Sequence, residues 1–85
     1  MEWVVYILKC NDGTLSTGIT NNFKERLAAH QKGNGAKYTK GRGPFKTLMI
    51  QKCMSRSEAS KIEYHIKTLS RRQKLDYIEK HSSTL

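Results

Sequence analysis

The sequence has few cysteines, prolines and acidic residues, and it has no long apolar run. Its 85 residues include 2 cysteines, 1 proline and 7 acidic residues, against 16 lysines and arginines. Cys10 and Cys53 have no Cys or His neighbours at the spacing of a zinc site, which favours reduced, packed thiols. No stretch approaches the roughly 20 apolar residues that cross a bilayer, so the sequence excludes a membrane-spanning helix.

The length and the excess of positive charge indicate one small domain with a polyanionic partner. A chain of 85 residues is near the lower size limit for a core without disulfides, so we expect one domain at 1–80 and a polar tail at 81–85. A net charge of +9 repels itself unless a polyanion offsets it, and nucleic acid is the natural partner. A lysine-rich surface also keeps small proteins soluble, but this charge is clustered. Met1-Glu2-Trp3 carries an acid where a secretory signal is basic, so we expect a cytoplasmic protein.

Three segments are predicted to form β-strands. Residues 3–9 are β-branched and aromatic, and residues 14–20 are expected to return antiparallel to them. The Asp12-Gly13 step between them is the strongest short signal for a type I′ hairpin turn. Residues 46–53 are predicted as the third strand. Because the first strand is apolar on both faces, we expect it at the centre of the sheet.

Three helices are predicted from capping boxes, in which a polar residue and a Glu or Gln three positions later satisfy helix-end amides. The pairs are Asn22 with Glu25, Ser55 with Glu58, and Ser70 with Gln73. The apolar residues expected to face the core are Phe23 and Leu27, then Ala59, Ile62, Ile66 and Leu69, then Leu75 and Ile78. Strands and helices together predict an α+β fold.

Two basic segments are predicted to contact phosphates. Residues 37–44 read as an exposed loop whose cations alternate with an aromatic residue and glycines, and the expected contacts are Lys37, Tyr38, Lys40 and Arg42. Arg71 and Arg72 lie in the first turn of the third helix, where the helix dipole disfavours cations. A bound phosphate would offset that mismatch, although solvent would tolerate it too.

Six short motifs occur in order along the chain. They are residues 4–10, residues 17–20, Arg26-Leu27 followed by His30, residues 35–39, residues 41–44, and the helix that carries Glu63. In this order they resemble the GIY-YIG nuclease superfamily, and most closely its small stand-alone UPF0213-type members. The resemblance implies a three-stranded antiparallel sheet flanked by about three helices, and a phosphodiester hydrolase that depends on a divalent metal.

The resemblance also implies roles for four residues. Glu63 matches the single metal ligand, and one carboxylate with several waters suits Mg²⁺, with Mn²⁺ as a substitute. Arg26 matches the arginine that grips the scissile phosphate, and Tyr6 matches the tyrosine that activates or orients the attacking water. His30 matches a position that hydrogen-bonds the tyrosine or assists proton movement. On the residues alone, each has an ordinary alternative: a helix glutamate paired with a lysine, a surface ion pair, a core tyrosine or a half-buried histidine.

Ser16 departs from the second motif, where the family has a tyrosine. The serine hydroxyl is too short to reach the position of a phenol unless a water bridges the gap. Slower cleavage, compensation by Tyr38, and a module that binds without cutting are the three consequences left open. A late polar residue of the family, often asparagine, also has no match, because no asparagine follows Asn34.

We therefore expect an endonuclease with an atypical catalytic set of Tyr6, Ser16, Arg26 and His30, acting on DNA more readily than on RNA. The chain has no motif that reads bases, so selectivity would come from DNA structure or from a partner protein. The alternative is a non-catalytic nucleic-acid-binding module that uses the same basic cleft. A weaker alternative is a structural subunit that docks through Ile62 and Ile66, which requires an exposed apolar patch there.

Overall fold

The computed structural model describes residues 2–31 and 45–81, without the side chains of residues 30 and 31. It contains three strands and three helices over this part of the chain. In chain order they are β1 (Trp3–Lys9), β2 (Leu15–Thr20), α1 (Phe23–Gln31), β3 (Lys46–Cys53), α2 (Arg56–Lys67) and α3 (Arg71–His81). The expected α+β fold, with its three-stranded antiparallel sheet and three helices, is confirmed.

The sheet has the order β2-β1-β3, with both neighbours antiparallel to β1. Five consecutive residues of β1, from Val4 to Leu8, are buried, which is typical of a strand covered on both faces. The central position expected for β1 is therefore confirmed. Pairing with β3 shifts register between Ile7 and Leu8, and a bulge of this kind bends the strand locally.

The helices cover the two faces of the sheet. On one face, α2 and α3 pack on a core that includes Val5, Ile7 and Met49. On the other face, Phe23 and Leu27 of α1 pack against Leu8, as part of a smaller cluster. Side chains alternate between faces along a strand, so β1 supplies both cores.

The apolar positions of α2 and α3 only partly follow the prediction. Ala59 and Ile66 are fully buried and Ile62 packs against the core, so the predicted stripe on α2 is covered by the sheet. Docking of a partner through Ile62 and Ile66 therefore has no exposed patch to support it. On α3, Leu75 is 43% exposed, and Tyr77 packs beside Ile78 instead. The expectation that Leu75 closes the core is wrong, because the helix presents a different arc to β3.

The turn between β1 and β2 is not of type I′. The amide of Gly13 donates to the Cys10 carbonyl at 2.9 Å, and the Cys10 amide donates to the Thr14 carbonyl at 2.8 Å, which leaves a three-residue loop. A type I′ turn needs two central residues with positive φ, and among the described residues only Gly13, at 87°, has one. The loop thus ends in one glycine with a left-handed backbone conformation, whereas the φ angle of Asp12 is not positive.

The helix caps form at the predicted positions, with two different partners for the glutamates. Ser70 and Gln73 make the full reciprocal box, with hydrogen bonds of 2.9 and 3.2 Å. The Glu25 carboxylate instead accepts from the side-chain amide of Asn22, and Glu58 accepts from the Met54 amide. No helix among the described residues is long and apolar enough to cross a membrane.

Candidate active site

Tyr6 lies on the central strand of the sheet. Its side chain extends across a glycine of the neighbouring strand β2 to the edge of the sheet. Tyr6 is 3% exposed and pairs with Gly18 on β2. A Cβ atom on Gly18 would lie 2.5 Å from the Tyr6 Oη and 2.7 Å from ring carbons, closer than any side chain permits. The motif glycine is therefore required so that the Tyr6 ring can lie flat across β2 with its hydroxyl at the edge.

Helix α1 docks on the same tyrosine. The Phe23 ring meets the Tyr6 ring edge to face, with centroids 5.4 Å apart and planes at 89°. One turn later, Arg26 Nε donates to Tyr6 Oη over 3.4 Å, a long and weak hydrogen bond. The packing of Phe23 thus orients the helix so that the exposed guanidinium of Arg26 stands beside the phenol.

Glu63 lies in the middle of α2, and its side chain is 23% exposed. Its Oε2 is 3.3 Å from Nζ of Lys67, one helical turn away. The pairing of Glu63 with a neighbouring lysine, stated above as its ordinary interpretation, is therefore present. Lys67 itself is 56% exposed, so the ammonium can leave this pair for water.

These residues line one cleft of about 290 Å³. Its walls come from β1, β2, α1 and α2, and consist of Tyr6, Ser16, Thr17, Gly18, Ile19, Arg26, Glu63 and Lys67. Because four consecutive β2 residues line it, and their side chains alternate between faces, the cleft runs along the outer edge of β2. The structure thus brings together Tyr6, Ser16, Arg26 and Glu63, which the sequence motifs singled out.

Ser16 occupies the cleft on the same face as Tyr6. It pairs with Leu8, two residues along β1 from Tyr6, so Ser16 and Tyr6 are diagonal neighbours. Residues in this relation are roughly 7–8 Å apart, within reach of long side chains but not of a serine hydroxyl. A tyrosine at this position would project into the cleft beside Tyr6.

Several predicted residues lie elsewhere or outside the described part of the chain. Outside it are the His30 side chain and four residues of the basic segment, Lys37, Tyr38, Lys40 and Arg42. Arg71 donates from Nη1 to the Gly13 carbonyl at 2.7 Å, and neither Arg71 nor the exposed Arg72 lines the cleft of Tyr6.

Sequence reasoning missed Lys67 as a residue of the cleft. The only signal was its spacing of four residues from Glu63, which places two side chains on one helix face. That spacing predicts an ion pair on any helix surface and says nothing about a neighbouring strand. The contact of α2 with the β2 edge, which makes Lys67 a wall of the cleft, depends on tertiary packing.

The cleft suits a magnesium-like ion better than a fully protein-bound metal. Among the described residues, no group of three or more His, Cys, Asp or Glu side chains is placed to hold an ion. Glu63 is the carboxylate of the cleft, and Tyr6, Ser16 and Thr17 line it with hydroxyl-bearing side chains. Mg²⁺ usually keeps several waters and takes one or two carboxylates together with substrate phosphates, which these residues can satisfy.

The groups with clearly shifted acidity lie away from this cleft. Burial raises the pKa of the Cys53 thiol above its ordinary 9.0, and the negative charge of Glu58 adds to this effect. Burial likewise raises the pKa of the Tyr77 phenol above 10.0. Cys53 belongs to the core between the sheet and α2, and Cys10 to the smaller cluster under α1, so both thiols are free and packed as expected.

Comparison with known proteins places this chain in a family. The family profile described as the GIY-YIG catalytic domain matches residues 2–76. The UPF0213 protein OB0043 of Oceanobacillus iheyensis is 55% identical over 75 residues, which are 88% of this chain and 87% of that protein. The UPF0213 protein CPE1444 of Clostridium perfringens is 51% identical over 78 residues, which are 92% of this chain and 84% of that protein.

Two solved structures share the fold. The solution NMR structure of the UPF0213 protein BH0048 from Bacillus halodurans has a TM-score of 0.64 and 42% identity, covering 98% of this chain and 88% of that one. The solution NMR structure of the protein EF2693 from E. faecalis has a TM-score of 0.68 and 36% identity, covering 94% and 85%. The chain belongs to the GIY-YIG family and, within it, to the UPF0213 proteins.

Proposed function

We propose that this protein is an endonuclease that hydrolyses phosphodiester bonds in DNA at the cleft along β2, with Mg²⁺ as its metal. One observation carries the proposal. A guanidinium, a phenol and a carboxylate, from Arg26, Tyr6 and Glu63, converge from three separate elements on a single cleft of about 290 Å³. Membership of the family described as the GIY-YIG catalytic domain supports it, since a nucleic-acid substrate and a divalent metal are general in that family.

Each group has a distinct task in this proposal. Arg26 binds two oxygens of the scissile phosphate through its planar donors. The Tyr6 hydroxyl, held against Gly18, orients the attacking water on the side of the phosphorus opposite the leaving oxygen. Glu63 holds the ion, which when bound neutralises charge that develops on the phosphate. Lys67 adds a second cation to the same wall of the cleft.

Ser16 makes this a slow enzyme in our proposal. Because Ser16 lies diagonally to Tyr6, we expect a phenol at position 16 to fill space in the cleft that the serine leaves open. Losing one hydrogen-bonding group near a reacting phosphate costs on the order of 100-fold in rate. The remaining groups still bind phosphate, so binding of DNA is expected to be close to that of a variant with tyrosine.

DNA is proposed as the substrate, with selectivity for shape. Its phosphates suit the cations of the cleft, whereas the sequence has no motif that reads bases. Branches, flaps and single strands are therefore the preferred targets, and a partner protein is proposed to direct the enzyme to a site.

A second candidate function is nucleic-acid binding without cleavage. It is favoured by one observation, the ion pair of Glu63 with Lys67, because a lysine at 3.3 Å competes with a metal for the carboxylate. Under this alternative the same cleft binds DNA or RNA, and Glu63 serves to hold Lys67 in place. Only the enzyme requires a metal for its effect on DNA.

The test compares the wild type with Ser16→Tyr and Glu63→Ala on supercoiled, branched and single-stranded DNA, in Mg²⁺ and in Mn²⁺. We expect the wild type to cut slowly, Ser16→Tyr to cut faster, and Glu63→Ala to be inactive. If all three proteins are inert on every DNA in both metals while still binding it, the endonuclease proposal fails and the binding module stands. Equal nicking by wild type and Glu63→Ala would contradict the role of Glu63.

A further inference from the structure

A second basic cleft lies at the hairpin end of β2. It has a volume of about 210 Å³ and is lined by Thr14, Leu15, Arg71 and Lys74. None of these residues belongs to the first cleft, which is lined by β2 residues 16–19. Since residues 14 and 15 directly precede residues 16–19, the two clefts adjoin each other along the edge strand of the sheet.

On the helices that border the two clefts, the cationic side chains occur in the same order as the clefts. Lys67, the last residue of α2, lines the first cleft, and Arg71, the first residue of α3, lines the second. Lys74 continues the row on α3. From Arg26 to Lys74, four cationic side chains thus border one continuous path beside β2.

The second cleft is organised by contacts that hold its cations in place. Arg71 Nη1 donates to the Gly13 carbonyl at 2.7 Å, a contact between residues 58 positions apart in sequence. This bond uses one of the five N–H donors of the guanidinium. Lys74 is half-buried, so its apolar stem packs against the protein while its ammonium can remain at the mouth of the cleft. The nearby Asp12 carboxylate accepts from the amide and hydroxyl of Thr14, which holds this negative charge in the turn.

We propose that this second cleft binds a backbone phosphate of the same DNA strand that is held at the first cleft. The inference rests on the proposed function, because it takes the first cleft as the position of the scissile phosphate. From Gly18 to Thr14 the strand rises roughly 13 Å, four residues at about 3.3 Å each. One strand of duplex DNA advances about 3.4 Å along the helix axis per phosphate, and an extended single strand advances further, so this span corresponds to at most about four nucleotides.

The proposal separates the basic residues that contact DNA from those that do not. Arg71 and Lys74 bind the distal phosphate, whereas Arg72 is exposed and not part of either cleft. The strand is therefore expected to run from the Tyr6 hydroxyl toward the hairpin turn. Two phosphate sites on one edge of the sheet fix the path of the strand without reading a base.

The test is an NMR titration of ¹⁵N-labelled protein with oligothymidylates of two, four, six and eight nucleotides, without metal. We expect the dinucleotide to shift amides at the first cleft, such as those of Thr17 and Gly18. The hexanucleotide is expected to shift Thr14, Leu15 and Lys74 in addition, and to bind more tightly. Because no metal is present, the outcome does not depend on cleavage, so a protein that never cuts DNA can still pass this test.

Lys74→Gln is the informative variant, and Lys80→Gln, an exposed lysine at the end of the same helix, is its control. Lys74→Gln should leave dinucleotide affinity unchanged, weaken hexanucleotide binding about threefold or more, and lower its salt slope by about 0.7. Dispersed amide spectra will show that the variant is folded. No new shifts on going from two to eight nucleotides, or equal weakening by Lys74→Gln and Lys80→Gln, would overturn the proposal.

Discussion

Replacing Lys67 by methionine should have opposite effects on metal and on DNA. The Lys67 ammonium lies 3.3 Å from the Glu63 oxygen that is proposed to hold the metal. An ion about 2.1 Å from that oxygen would be roughly 4–5 Å from the ammonium. Methionine keeps most of the apolar stem but removes the charge, so the substitution tests the charge with little change in packing.

The size of the effect follows from how far the lysine can withdraw. At about 4.5 Å, repulsion between a divalent ion and an ammonium is ~2 kcal/mol in water and ~7 kcal/mol at an effective dielectric constant of 20. Lys67 is 56% exposed, so it can swing into water and lose only the exposed ion pair, about 0.2–1 kcal/mol. Adding a residual repulsion, we expect Lys67→Met to favour metal binding by about 1 kcal/mol, which is roughly fivefold in the dissociation constant.

The assay is Mn²⁺ binding by calorimetry or by the electron paramagnetic resonance of free Mn²⁺, with DNA affinity measured by fluorescence anisotropy. Lys67→Met should bind Mn²⁺ more tightly and DNA more weakly than the wild type. The matched control is Lys61→Met, an exposed lysine of α2 that is not part of the cleft. An unchanged or weaker Mn²⁺ affinity in Lys67→Met would refute competition between the lysine and the metal for Glu63.

Three further predictions concern the core and the charge of the protein. Gly18→Ala should lower the free energy of unfolding by about 1–3 kcal/mol in urea titrations, because its Cβ would overlap the Tyr6 ring; unchanged stability would contradict this packing. Because folding raises the pKa of Cys53, its contribution to stability should be constant below about pH 8 and fall as pH rises through 9.0, and Cys53→Ala should remove the part of this fall that precedes the titration of Tyr77 above pH 10.0. Phosphate contacts by the four cations of the two clefts, Arg26, Lys67, Arg71 and Lys74, predict that the logarithm of single-stranded DNA affinity falls with the logarithm of salt with a slope of about −3. A slope near zero would refute phosphate binding.

The elements of the fold could be predicted because their signals are local. The burial of β1 on both faces follows from its unbroken apolar run, and the cap at Ser70 follows from two polar residues three positions apart. The hairpin turn could not be predicted fully, because Asp-Gly suits both a two-residue and a three-residue loop. The choice between the two loop lengths depends on the backbone conformation of Asp12. That conformation follows from the register of the two strands, in which Lys9 pairs with Leu15.

Residues of the candidate site could be predicted only where they belong to a sequence motif. Tyr6, Gly18 and Arg26 could be named because the motifs mark them, although the reason for the glycine emerges only from its contact with the Tyr6 ring. The bond from Arg71 to Gly13 joins residues 58 positions apart, and no local pattern indicates such a contact. Contacts of this kind depend on how the start of α3 meets the turn between β1 and β2.

The most direct test of the endonuclease claim is the single-turnover cleavage rate of the preferred DNA substrate for Glu63→Gln and for Glu2→Gln. Both substitutions remove one carboxylate charge, but only Glu63 lines the cleft, whereas Glu2 is exposed ahead of β1. We predict that Glu2→Gln cuts DNA at the wild-type rate in Mg²⁺ and that a chelator stops this cleavage. Cleavage by Glu63→Gln is expected to be slower by about 100-fold or more. Equal rates for the two variants, or cleavage that persists in the chelator, would contradict a metal-dependent active site at this cleft.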